Sequence, residues 1–190
     1  MRNFLILSFT IILAVLLVGC AKYPQEAIDA AQAALNAAKQ AEADRYVPDL
    51  FNAAQKTLND ALALADKEKE ATFSNYDEAL KLVASATEAA NNAANAVAAK
   101  KDEVKAAAEA LLAQIPEAVK NAKKAWTKAP RGKGTREALA AIKADIEGQE
   151  KAVEEVNAAL TSGDVLTAQQ KAQAILDKLA SLVAELQPKK

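Results

Sequence analysis

Residues 76–115 read YDEALKLVASATEAANNAANAVAAKKDEVKAAAEALLAQI, and this stretch decides the fold. Apolar residues recur along it at alternating spacings of four and three, which places them on one face of a helix. A period of about 3.5 residues held for this long is typical of a coiled-coil seam, so we expect a long central helix over about 76–115. Pro116 should end or kink that helix. The predicted seam is Tyr76, Leu80, Val83, Thr87, Ala90, Ala94, Val97, Lys101, Val104, Ala108, Leu111 and Ile115.

Two positions of this seam are polar, Thr87 and Lys101. The simpler interpretation is local: the Thr87 hydroxyl bonds a backbone carbonyl of its own helix, and Lys101 extends its ammonium to solvent. The alternative is a polar layer that fixes the register or the choice of partner helix, as single polar seam residues can do.

Helices are also predicted on both sides of this stretch. Apolar residues at spacings of three and four form four further stripes. They are Ile28, Ala31, Leu35 and Ala38; Phe51, Ala54, Leu58, Ala61 and Ala65; Leu139, Ile142, Ile146, Val153, Val156 and Leu160, with Gln149 as a polar member; and Val165, Ala168, Ala172, Ile175, Leu179, Leu182 and Leu186. Tyr46-Val47-Pro48 should break the chain between the first two, because Pro48 disfavours helical geometry at Val47. Short connections make neighbouring helices antiparallel. We therefore expect an all-α protein of Ala-rich antiparallel hairpins in a coiled-coil-like bundle. The predicted organisation is a helical bundle over 20–129, a loop over 130–135 and a C-terminal helical hairpin over 136–187.

The composition of the 190 residues agrees with helices and excludes several functional classes. Alanine, the best helix former, accounts for 48 residues. With no His and a single Cys, the chain lacks the side chains of the usual zinc sites and of His-dependent nucleophilic catalysis. Its five Gly form no phosphate-binding loop motif. We therefore expect neither a metal site nor a catalytic residue, and 24 basic against 25 acidic residues create no overall field for a charged partner.

The N-terminus has the pattern of an export signal. Residues 4–18, FLILSFTIILAVLLV, form an apolar run that would span about 22 Å as a helix, too short for a bilayer core of about 30 Å. The last two residues of this run and the two that follow it are Leu17, Val18, Gly19 and Cys20, which resemble the lipobox of bacterial lipoproteins. The resemblance implies that residues 1–19 are a signal peptide cleaved before Cys20 and that Cys20 carries diacylglycerol, usually with further acylation such as palmitate at its new amino terminus. The alternatives are ordinary cleavage after Ala21 and an uncleaved anchor.

The lipoprotein resemblance also predicts a location. Stable anchoring needs at least two acyl chains, which a lipidated Cys20 would provide. Because Ala21 rather than Asp follows Cys20, the resemblance favours the outer membrane facing the periplasm, with the cell surface and the inner membrane as alternatives. We expect no cofactor beyond this covalent lipid.

Residues 27–99 resemble a second family, small helical envelope proteins of unknown function that are often lipoproteins. Its pattern is an Ala-rich helix, a Tyr-x-Pro-x-Leu segment, a second helix, a short turn and an Ala-rich return helix. In this sequence the segment is Tyr46-Val47-Pro48-Asp49-Leu50, and the return helix begins near Tyr76. The resemblance implies a helical hairpin in the envelope and no particular activity.

Positive charge is concentrated in residues 117–136, where seven basic side chains accompany one acidic residue, Glu117. A basic amphipathic helix that carries a Trp can bind anionic headgroups or an acidic polymer. The alternative is a solvated surface with Trp126 packed into the bundle. The candidate binding residues are Lys120, Lys123, Lys124, Trp126, Lys128, Arg131 and Lys133.

The C-terminus, Pro188-Lys189-Lys190, is similar to that of the major murein lipoprotein, in which a terminal Lys is linked to peptidoglycan. The similarity extends only to a lipidated Cys, heptads and a terminal Lys. It makes Lys190 a candidate for covalent attachment.

Together these patterns predict a lipid-anchored envelope protein that is not an enzyme and serves as a structural or protein-interaction scaffold. Its expected partners are the membrane, other envelope proteins or a second copy of the chain, and peptidoglycan as a further candidate; the export signal argues against nucleic acid. One alternative is a binding module for phospholipid, lipopolysaccharide or peptidoglycan through residues 117–136. A periplasmic holdase-like helper is a third interpretation, and the Ala-rich seams argue against it.

Overall fold

The computed structural model describes residues 22–132 and 135–187, and this part of the chain contains six helices and no strand, which confirms the all-α prediction. The predicted signal peptide and Cys20 lie outside the described residues, as do Lys133 and Lys190. The helices are α1 (Gln25–Gln40), α2 (Ala43–Tyr46), α3 (Pro48–Lys69), α4 (Asp77–Lys128), α5 (Arg136–Ser162) and α6 (Val165–Glu185).

The central helix, α4, is longer than the sequence indicated. It runs through Pro116 to Lys128 and does not end near residue 115. A proline inside a helix costs about 3 kcal/mol, because it lacks an N–H and its ring crowds the preceding turn. Ile115 and Val119, on either side of Pro116, are buried in the same apolar core. Burial of these neighbours offsets the local cost of the proline and keeps the chain helical.

The chain divides into two compact units, and the boundary between Val97 and Ala98 lies inside α4. The sequence predicts the division at the loop 130–135, because Pro and Gly mark loops. The structure differs because the C-terminal part of α4 shares a core with α5 and α6. Loop signals in a sequence mark the ends of helices, whereas the boundary of a packed unit depends on which helices share a core.

In the first unit, the buried faces of α1 and α3 are those that their periodicity predicts. The core residues are Ile28, Ala31, Leu35 and Ala38 from α1, and Phe51, Ala54, Leu58, Ala61 and Ala65 from α3. No polar or charged residue is buried among residues 22–132 and 135–187. Apolar burial is therefore the main stabilising contribution to this unit.

The face that α4 buries in the first unit differs in part from the predicted seam. The buried residues here are Tyr76, directly before the helix, and Ala79, Val83, Ala86, Ala90, Ala93 and Val97. Leu80, predicted to be in the seam, is 40% exposed, and Thr87 and Ala94 are half-buried. The predicted and the observed buried faces share every seventh residue from Tyr76 to Val97. They differ at the residue between each of these, because the structure buries the residue one position earlier than predicted. Ala is the smallest side chain that fits a helical seam, so burying Ala79, Ala86 and Ala93 allows closer packing than burying Leu80 and Thr87.

The connection between α1 and α3 contains a second break, which the sequence does not predict. The sequence indicated a break at Tyr46–Pro48, and Pro48 does occupy the first turn of α3, where a missing N–H is tolerated. However, α1 already ends at Gln40, and Glu42 adopts a left-handed backbone conformation with φ of 69°. A left-handed residue that is not Gly is costly, so the packing on both sides must hold it in place.

In the second unit, α5 and α6 form an antiparallel hairpin. Gly163, with φ of 81°, ends α5, and the Asp164 N–H donates to the Ala159 carbonyl oxygen at 3.0 Å. The Asp164 carboxylate then accepts a 2.7 Å hydrogen bond from the Thr167 hydroxyl at the start of α6. The predicted apolar stripe of α6 is buried as expected: Val165, Ala168, Ala172, Ile175, Leu179, Leu182 and Leu186.

Two ion pairs on the surface join the helices of this hairpin. Lys178 pairs with Asp145 at 3.0 Å, and Lys171 pairs with Glu155. The hydrogen bond from Lys171 lowers the pKa of the Glu155 carboxyl. Exposed pairs add little stability, so the apolar core determines the packing of the hairpin.

Candidate functional site

The most basic surface predicted from sequence surrounds Trp126, where α4 ends and α5 begins. Ala129 is buried just after the last turn of α4, and Pro130 follows it, so the chain leaves the helix there. The Thr135 hydroxyl accepts a hydrogen bond from the Gly132 N–H at 2.9 Å and donates to the Gly132 carbonyl at 3.0 Å. These bonds hold Gly132 close to the start of α5.

The Trp126 side chain contacts two cations and a backbone acceptor. Its Nε1 donates a 2.7 Å hydrogen bond to the carbonyl oxygen of Leu139. The Arg131 guanidinium lies 5.0 Å and the Lys143 ammonium 5.8 Å from the centre of the indole ring. Both distances are within the range of cation–π attraction, about 6 Å. The half-buried indole thus joins α4 to α5 and brings two positive charges to one place.

An open cleft of about 590 Å³ lies beside the indole, and we call it the Trp126 cleft. Its positive charges come from Arg131 in the loop and from Arg136 and Lys143 on α5. Its apolar wall includes Trp126 and Leu139. A concave surface with an aromatic wall and several cations suits an anionic group attached to an apolar or sugar-like body.

The basic residues predicted from sequence do not all gather at this cleft. Arg131 lines it, whereas Lys120 pairs with Glu117 at 3.3 Å and Lys123 pairs with Glu150 at 2.7 Å. Lys124 and Lys128 are exposed on α4. Those two, unlike Lys120 and Lys123, have no acidic partner among the ion pairs found in the described residues.

Lys143 was not predicted as a site residue, and Arg136 was predicted only as part of the charge of residues 117–136. A usable signal existed, because Arg136, Leu139 and Lys143 follow one another at spacings of three and four and therefore share one face of α5. The sequence could not show that this face lies against Trp126. That contact depends on how α4 and α5 pack.

The Tyr-x-Pro-x-Leu segment forms a helix connection. Tyr46 is buried, and the Arg45 guanidinium lies 5.8 Å from its ring centre. Pro48 is exposed, and Leu50 is 47% exposed. The segment therefore starts α3 and leaves its Leu at the surface.

The polar seam residue Thr87 bonds within its own helix. Its hydroxyl donates to the Val83 carbonyl oxygen at 2.9 Å, which agrees with the local interpretation of that seam position.

A second polar cluster ties the first described residues to the far end of α3. The Tyr23 hydroxyl donates a 2.9 Å hydrogen bond to Asp66, and its ring meets the Tyr76 ring edge-on with centroids 5.7 Å apart. We call Tyr23, Asp66 and Tyr76 the tyrosine clamp. Burial, then the hydrogen bond to Asp66 and the negative charge of that carboxylate, raise the pKa of the Tyr23 phenol. The clamp fixes the chain three residues after Cys20.

Residues 22–132 and 135–187 hold no cluster of acidic or Cys side chains that could bind a metal ion. Among the same residues, no helix is long and apolar enough to cross a membrane. Comparison of the chain with protein-family models, with curated protein sequences and with solved structures finds no match.

Proposed function

We propose that this chain is a lipid-anchored protein of the bacterial cell envelope that acts as a structural or protein-interaction scaffold and not as an enzyme. The anchor part of the proposal rests on the apolar run at residues 4–18 and on the lipobox-like residues that end in Cys20. Acyl chains on Cys20 would hold the protein on a membrane without a spanning helix. The outer membrane facing the periplasm is the proposed location.

The observation that carries the scaffold role is the arrangement of α4. This one helix of 52 residues supplies core residues to two compact units. In the described residues the buried positions are all apolar, so the charged side chains remain at helix surfaces. A protein built in this way offers two helical surfaces for contact on one chain.

Crosslinking in intact envelopes tests this role most directly. A photoreactive amino acid would replace Leu50 or Leu80, two of the exposed large apolar residues, in the full-length chain. Lys105 on the same helix as Leu80 is exposed and charged, and it serves as the control position. We expect defined protein adducts from Leu50 or Leu80 and none from Lys105. Envelopes that yield no protein adduct at either apolar position would contradict the scaffold role.

The Trp126 cleft supports a second candidate function, binding of an anionic envelope component. Arg131 and Lys143 both lie over the Trp126 ring, and Arg136 lines the same cleft. Co-sedimentation with anionic vesicles and with isolated sacculi at low and high salt separates the possible ligands. Binding that decreases with salt and is lost in Arg136→Gln/Lys143→Gln supports this candidate.

The control for the cleft is the triple variant Lys120→Gln/Lys124→Gln/Lys128→Gln, which removes positive charge from α4 outside the cleft. If both variants weaken binding equally, net charge explains the effect and the cleft does not. Muropeptide mass spectrometry on digested sacculi tests Lys190 separately, because covalent attachment would leave a peptide ending at that residue.

A further inference from the structure

Phe73 has the most exposed large apolar side chain of the described residues, with 84% of its surface accessible. It lies in the connection between α3 and α4, where its neighbours Thr72 and Ser74 are small and polar. A single exposed apolar residue is ordinary in a protein surface. The position of Phe73 relative to the start of the described chain is what makes it informative.

The tyrosine clamp places the first described residues at the same end of the first unit as Phe73. Tyr23 touches Asp66, which is near the end of α3, and Tyr76, which directly precedes α4. The Lys69 ammonium lies 5.4 Å from the Tyr23 ring centre, so the last turn of α3 is also in contact. Tyr23 therefore lies at the end of this unit that carries the α3–α4 connection.

The length of chain between residues limits how far Cys20 can lie from Tyr23 and how far Phe73 can lie from Tyr76. Tyr23 is the third residue after Cys20, and Tyr76 is the third after Phe73. The two Cα atoms of each pair are therefore at most about 11 Å apart. The connection itself is held in place, because the Asn75 N–H bonds the Glu68 carboxylate at 3.2 Å and the Asp77 N–H bonds the Asn75 side chain at 3.0 Å. A lipid on Cys20 would thus keep this end of the unit next to the bilayer.

We infer that Phe73 is a second membrane contact, which inserts into the boundary between headgroups and acyl chains beside the lipid on Cys20. This inference rests on the proposed acylation of Cys20. An aromatic ring at that depth removes apolar surface from water, as aromatic residues do at membrane interfaces. With two contacts, the lipid and the ring, the first unit has a fixed end toward the membrane and cannot swivel freely on its short tether.

Depth-dependent fluorescence quenching tests this inference. The full-length lipidated variant Phe73→Trp is purified from membranes and reconstituted into phosphatidylethanolamine–phosphatidylglycerol vesicles, with and without brominated acyl chains. Trp126 is kept, and the emission of the unsubstituted protein is subtracted. We expect the added emission to be blue-shifted and strongly quenched by the brominated lipid. Because Phe73 is exposed, the substitution should leave the fold intact, which circular dichroism checks.

Leu50→Trp is the matched control in the same unit. Leu50 is also exposed, and it lies about 28 Å from Lys69 along the axis of α3, at the opposite end. Its added emission should show several-fold less quenching than that of Phe73→Trp. Equal quenching at the two positions, or none at Phe73→Trp, overturns the inference.

Intact-mass spectrometry on the same samples separates this inference from the proposed anchor. If the protein carries diacylglycerol but the Phe73→Trp emission is not quenched, the anchor stands and the second contact fails. If the protein carries no lipid, the anchor and the inference both fail.

Discussion

The indole Nε1 of Trp126 donates a 2.7 Å hydrogen bond to the carbonyl oxygen of Leu139, which joins the last turns of α4 to the first turns of α5 across a loop. Trp126→Phe keeps most of the ring and removes this donor. We expect the free energy of unfolding to fall by about 1–2 kcal/mol, since the half-buried side chain no longer donates this hydrogen bond. Urea denaturation followed by circular dichroism measures the change. A stability equal to that of the unsubstituted protein would show that the bond contributes nothing.

Gly163 ends α5 in a left-handed conformation, with φ of 81° and no atom within 4 Å of the position that a Cβ would take. Gly163→Ala should therefore destabilise the protein by about 1 kcal/mol through backbone strain alone. Gly148 also has open space around it but lies within α5. Gly148→Ala should stabilise by up to about 1 kcal/mol, because Ala is the better helix former. Thermal unfolding of both variants tests whether the first lowers and the second raises the stability of the protein.

Glu42 has a left-handed backbone, with φ of 69°, which favours Gly. Glu42→Gly should relieve strain and leave stability unchanged or raise it by up to about 1 kcal/mol, although the Glu42–Arg45 ion pair is lost. Glu42→Val should destabilise by about 1–2 kcal/mol, because a β-branched residue strongly resists this conformation. Chemical denaturation of the two variants tests this; a Val variant as stable as the Gly variant would mean that position 42 is not held left-handed.

Ala86 is 2% exposed on the buried face of α4, whereas its neighbour Thr87, which the sequence placed in the seam, is half-buried. Ala86→Leu should destabilise by about 1–3 kcal/mol, because a closely packed seam cannot accept the added volume. Thr87→Leu should change stability by less than about 0.5 kcal/mol. If Thr87→Leu destabilised the protein more than Ala86→Leu, this result would favour the buried face that the heptad pattern predicts.

Burial and the hydrogen bond to Asp66 raise the pKa of the Tyr23 phenol above the ordinary value of 10.0. The unfolded chain therefore loses this proton at lower pH than the folded chain does. The contribution of Tyr23 to stability is complete below about pH 10 and decreases as the pH rises through the raised pKa.

Tyr23→Phe should accordingly be less stable than the unsubstituted protein at neutral pH, with a smaller difference in strong alkali. Denaturation midpoints of the two proteins across this pH range measure the effect, and comparing them cancels the titration of the lysines. If the difference in stability between the two proteins does not change with pH, folding is not coupled to the protonation of Tyr23.

Much of the fold could be predicted from local patterns. The buried stripes of α1, α3 and α6 match their periodicity, because one uninterrupted apolar face on a helix can be buried in only one way. For α4 the pattern was ambiguous, since Leu80 and Ala79 both suit a heptad with Tyr76 and Val83. Only the approach of the neighbouring helices selects between them.

The candidate site could be predicted only in part. The sequence located Trp126 and Arg131 in a basic segment, but it also included Lys120 and Lys123, which pair with acidic residues. Lys143 was missed because it comes from the next helix. Likewise, Phe73 and Tyr23 are separated by 50 residues in the chain and gave no joint signal.

By itself, the sequence determined the helical class, the buried faces of three helices and the hypothesis of a lipid on Cys20, because helix propensity, apolar period and the lipobox-like segment are local properties. The tertiary structure decided that α4 continues through Pro116, that Ala79 and not Leu80 is buried, and that Lys143 lies over the Trp126 ring. Each of these depends on packing between residues distant in the chain, where burial and close contact outweigh local preference.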